Sequence, residues 1–101
     1  MNVHIHLVIG ETSIDEEATG NSAEEVVADI RDRVAKEMGF LVGGFIKRMT
    51  PLDFAREATR RYNTAAKDNA TPPATCAAFL EMAVAKGFAT IHEENSADSV
   101  Q

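Results

Sequence analysis

The chain has 101 residues, 45% of them hydrophobic and 26% charged, the balance of an ordinary globular domain rather than of a fibrous or low-complexity sequence. Sixteen Asp and Glu against ten Lys and Arg leave a formal net charge of −6, which opposes nonspecific attachment to polyanions. A lone cysteine, Cys76, excludes an intramolecular disulfide. With no basic, apolar leader at the start, a cytoplasmic protein is expected.

In chain order, Asn2 to Ile9 alternates, with Val3, Ile5, Leu7 and Ile9 on one parity and His4, His6 and Val8 on the other. That period of two predicts a half-buried strand. The acidic stretch from Glu11 to Asn21 reads as a connection, with a helical turn at Ser13–Ala18 as an alternative to a solvated loop. Ser22-Ala-Glu-Glu25 is a capping box: the serine hydroxyl accepts from the third amide and Glu25 reaches back to the serine amide. A helix follows, its apolar stripe formed by Val26, Val27, Ile30, Val34 and Met38 and its stop supplied by Gly39.

Phe40 to Met49 carries two short apolar runs around Gly43-Gly44, which predicts two short strands in a hairpin. The run from Phe40 to Ile46 is too short to cross a bilayer, which needs about 20 residues. A phosphate-cradling loop at the glycine pair lacks the third glycine and the Lys-Ser/Thr such loops carry. Thr50-Pro51-Leu-Asp53 opens a second helix, with threonine as cap and proline where a missing amide costs nothing. Prolines 72 and 73 end the turn that follows it. A third helix begins between Pro73 and Thr75 and runs through Cys76 to Lys86 to a stop at Gly87; it is apolar nearly all round and wants cover on several sides, such as a second subunit. Phe88 to Glu94 reads as a last strand, and Asn95 to Gln101 as a frayed polar tail.

These elements make an α+β domain over residues 1–94: a small, mainly antiparallel sheet of three to four short strands covered by three helices, in the order β-α-β-β-α-α-β. Two constellations carry chemistry. His4-x-His6 projects two imidazoles from one face of a strand, and His92 joins them if Ala89 and Ile91 point inward; zinc is the ion such a set suggests. With Phe88 buried instead, that cluster dissolves. A zinc-bound water with Glu93 or Glu94 as proton acceptor would then make a metal-assisted hydrolase.

The second constellation is electrostatic. Lys47, Arg48, Arg56, Arg60, Arg61 and Lys67 face only Asp53 and Glu57 between residues 47 and 67. Arg56, Arg60, Asn63 and Lys67 share a helical stripe, a surface suited to an acidic protein partner or to pairing with the chain's own acids at Asp15 to Glu17. Phosphate, nucleotide or nucleic-acid backbone binding is a further alternative; sequence-specific DNA reading is disfavoured because the third helix presents Ala, Phe, Leu and Met with a single lysine. Cys76 near a helix start is either an activated thiol or a small buried hydrophobe. The expectation is a surface-presenting interaction module without a cofactor, homo-oligomeric through the apolar third helix.

Overall fold

The computed structural model describes residues 1–9 and 12–92, with side chains except at residues 7–9 and 12. Its elements are β1 (Asn2–Ile9), β2 (Thr12–Thr19), α1 (Ala23–Glu37), α2 (Phe40–Lys47), α3 (Pro51–Ala66), α4 (Cys76–Ala85) and β3 (Ala89–His92). The three strands form one antiparallel sheet in the order β2-β1-β3, so the fold is α+β as expected. Four helices accompany it rather than three. Residues 93–94 of the expected last strand, and the expected tail at 95–101, lie outside the described residues.

Two elements correct the sequence expectation. The acidic stretch is strand β2, not a loop: it pairs with β1 along its whole length, from Asn2 opposite Thr19 to Ile9 opposite Thr12. Its acids hide the strand pattern, yet Ile14 and Ala18 are buried while Asp15 and Glu17 alternate with them outward. The expected hairpin at Phe40–Met49 is helix α2. Gly43 there packs against α1 so closely that a Cβ would stand 2.2 Å from the Ala35 carbonyl oxygen. The glycine therefore serves a close helix contact instead of a turn, and no phosphate loop is formed.

The caps follow the sequence. Ser22 Oγ accepts from the Glu25 amide at 3.2 Å, although Glu25 Oε1 accepts from the Asn21 amide, one residue before the serine. Thr50 and Thr75 cap α3 and α4 by accepting from the amides of Asp53 and Ala78, both at 3.0 Å. Each such cap holds about 1 kcal/mol of helix stability.

The core lies on one face of the sheet. Val3, Ile5, Ile14, Ala18 and Ala89 pack against Val26, Val27, Ile30 and Val34 of α1 and Phe79, Leu80 and Ala83 of α4. Each fully buried Val or Ile contributes about 1.5–3 kcal/mol. α4 finds its cover within the chain, against α1, α3 and β3, which leaves Val84 as its large exposed apolar side chain. The opposite face of the sheet carries no helix residue in the core cluster, and it presents His4, Asp15, Glu17, Thr90 and His92 outward.

Candidate functional site

The β1–β3 pairing settles the parity left open by the sequence. Asn2 stands opposite His92 and His4 opposite Thr90, while Ala89 is buried opposite Ile5. His92 therefore shares the outward face with His4 and His6, and β2 adds two acids that sequence reasoning missed. Glu17 is directly opposite His4, and Asp15 directly opposite His6.

The side chains converge. His4 Nε2 contacts Asp15 Oδ1, His6 Nδ1 lies 3.9 Å from the same oxygen, and His4 Nδ1 lies 3.7 Å from Glu17 Oε2. The His4 and His6 rings stack, with centroids 4.3 Å apart and planes within 15°. His4, His6 and Asp15 bring one ligand atom each within 4.8 Å of one another, as do His4, Glu17 and His92. The hydrogen bond from His4, with both nearby imidazoles, holds the Asp15 carboxyl below the usual carboxylate range. Strand alternation was a sufficient signal for this cluster once the acidic stretch is paired; without that pairing Asp15 and Glu17 have no defined side.

The basic stripe is largely occupied by its own chain. Arg56 Nε donates to the Pro73 carbonyl at 3.0 Å, and Asn63 clamps Ala70 by donating to its carbonyl and accepting from its amide, both at 2.9 Å. Arg60 and Arg61 both pair with Glu57, whose carboxyl they hold low. Lys67 ends α3 in the left-handed region, at φ 55°. The acidic stretch expected as a target instead meets α1, through Arg33 to Glu16 at 2.9 Å. Lys47 and Arg48, like Lys67, are exposed and pair with no carboxylate within 4.0 Å among the described residues; the first two sit together at the end of α2.

α2 presents the other feature that sequence reasoning missed. Phe40 is 93% exposed, Leu41 81% and Phe45 66%. On the helical wheel these three share one outer arc with Gly44 and Arg48. A hairpin reading buries alternate residues of this run and conceals the patch. Between α1 and α2 runs an open groove of about 680 Å³, lined on one side by Glu16, Asp29 and Asp32 and on the other by Phe40, Gly44 and Lys47.

A second hollow, about 260 Å³ between Glu24, Leu52 and Cys76, is open and mostly apolar. Neither hollow is lined by a histidine, so neither supplies the shelter a hydrolytic metal centre uses. Burial and the nearby Glu24 charge push the Cys76 thiol up, the opposite of an activated nucleophile. No helix of the described residues is long and apolar enough to cross a membrane. Comparison with protein-family models, with curated proteins and with solved structures returns no match.

Proposed function

We propose that the protein is an interaction module whose working surface is the outer face of α2, and that its occupant is a second copy of the same chain. The observation that carries this reading is the exposure of Phe40, Leu41 and Phe45 on one helical arc. An eight-residue helix this apolar has no reason to face water. Together the three side chains expose roughly 500 Å² of apolar surface, the size of patch that marks a contact site. Two such patches bury about 1,000 Å², the lower bound of a specific interface.

Charge is compatible with self-pairing. The patch is bordered by the exposed cations Lys47 and Arg48 at the end of α2 and by the exposed acid Glu37 just before its start, so a two-fold pairing sets unlike charges together, whereas Glu16, Asp29 and Asp32 are already paired with Arg33 and Arg31. In an antiparallel α2 pair the cationic end of one helix meets the approach to the other, where Glu37 is exposed. Gly44 lies at the centre of the outer arc with nothing within 4 Å of the position its Cβ would take, which lets a second helix come close. The acidic-partner surface expected on the second helix of the sequence thus moves to α2, because Arg56, Arg60 and Asn63 already have partners.

Sedimentation of the whole chain tests this. The wild type is expected as a dimer dissociating in the micromolar range, about −8 kcal/mol. The Phe40→Ser, Phe45→Ser double variant should be monomeric with an unchanged far-ultraviolet circular dichroism spectrum. A wild type that stays monomeric at several hundred micromolar, or a double variant that still pairs, overturns the reading.

A further inference from the structure

We propose that the open face of the sheet is a binding site for one divalent transition-metal ion of the zinc, nickel or copper class, held by His4, His6 and Asp15. The strand pairing makes this site, not the local sequence alone. β1 supplies two imidazoles from alternate residues of one face, and the antiparallel register sets Asp15 of β2 directly across from His6. Two nitrogens already bracket one carboxylate oxygen: His4 Nε2 is in contact with Asp15 Oδ1, and His6 Nδ1 is 3.9 Å from it. Donors lying within 4.8 Å of one another need only small side-chain rotations to bind one ion at the usual ~2.0–2.2 Å.

The donor chemistry selects the metal. Two imidazoles and one carboxylate suit borderline transition metals, whereas calcium and magnesium favour all-oxygen sets. Strand alternation sets both rings on one side of the sheet, and because they stack with planes within 15°, one imidazole turns about its χ2 on binding so that both in-plane nitrogens meet the ion.

The far side of His4 meets a second acid. Its other ring nitrogen, Nδ1, faces Glu17 Oε2 at 3.7 Å. A carboxylate behind a ligating imidazole is the usual device that fixes which nitrogen meets the metal, and a small swing of Glu17 makes that hydrogen bond. His92 stands beside Glu17 and His4 in the neighbouring triad. It flanks the ion on that side without ligating it. Because the face is open, the remaining coordination positions are free for water or an external ligand. The site is a binding site, and among the described residues nothing on the sheet face encloses a substrate over it. It stands independently of the α2 reading.

Calorimetric titration of the untagged, full chain with zinc and, separately, nickel chloride tests the proposal. One ion per chain is expected, binding at micromolar concentration or tighter. His6→Ala and Asp15→Asn should each weaken it by about tenfold or more, and Glu17→Gln by a smaller factor, while His92→Ala changes it less than about threefold. Nitrogen shifts of the His4 and His6 rings on zinc addition, seen by NMR, provide a readout that does not depend on the variants. These are outward side chains, so circular dichroism should show every variant folded. Binding weaker than about 100 μM, or loss of binding in His92→Ala with His6→Ala unaffected, overturns the assignment.

Discussion

A Cβ added to Gly43 would stand 2.2 Å from the Ala35 carbonyl oxygen and 3.1 Å from its carbon, atoms of a helix backbone that cannot swing aside. The same atom added to the adjacent Gly44 meets nothing within 4 Å. Gly43→Ala should therefore force α2 away from α1 and cost about 2–3 kcal/mol in denaturant unfolding. Gly44→Ala should instead stabilise the isolated chain by about 0.5–1 kcal/mol, since it removes the helix penalty of glycine without a clash. The contrast separates two reasons for having glycine in a helix. Equal losses at the two positions would mean that α2 does not pack as described. Cys76 offers a second check at this scale: 2% exposed and with its thiol pushed up, it should resist iodoacetamide in the folded protein and react on unfolding.

At the scale of elements, the ends of α3 and α4 are tied by Asp68, which accepts from Tyr62 Oη at 2.6 Å, Lys86 Nζ at 2.8 Å and the Asn69 amide at 2.7 Å. The ammonium of Lys86 and the tyrosine hydroxyl hold the Asp68 carboxyl far below the usual carboxylate range. A carboxyl depressed on folding adds stability that is complete above its unfolded value, about pH 4, and that fades as pH falls toward the folded one. Thermal melts should therefore lose stability progressively below about pH 4, and Asp68→Asn should remove part of that slope. An identical acid profile in the variant would show that the tie carries no weight.

Elements with their own local signals were legible before the structure. Ser22 and Thr50-Pro51 mark helix starts because a cap is a contact within four residues, and β1 shows its alternation outright. The missed elements depend on distant partners. β2 is a strand because β1 lies beside it; alone, its Asp15-Glu16-Glu17 run has poor strand propensity. α2 packs against α1 with Gly43 set close to Ala35, a contact absent from the window Phe40–Lys47. The same cause divides the candidate site. The histidines were visible from spacing, but Asp15 and Glu17 enter only through register, and the arginine stripe gave no sign that the distant Pro73 and Ala70 would occupy it.

For the whole molecule, the two proposed surfaces have different consequences. A metal on the sheet joins β1 to β2, elements already held together by a full ladder, so its loss leaves the fold standing. An α2 pair covers side chains that otherwise face water, so assembly and folding are linked by mass action. If a folded dimer unfolds to two separated chains, raising protein concentration favours the folded side. Over a hundredfold rise this adds about 2.7 kcal/mol per dimer, or about half that per chain. For a chain near 100 residues, that corresponds to an upward shift in Tm of several degrees. The wild-type midpoint should therefore climb with concentration, while the Phe40→Ser, Phe45→Ser variant melts at one temperature throughout. A wild-type midpoint equally indifferent to concentration would leave α2 without the partner its apolar face requires.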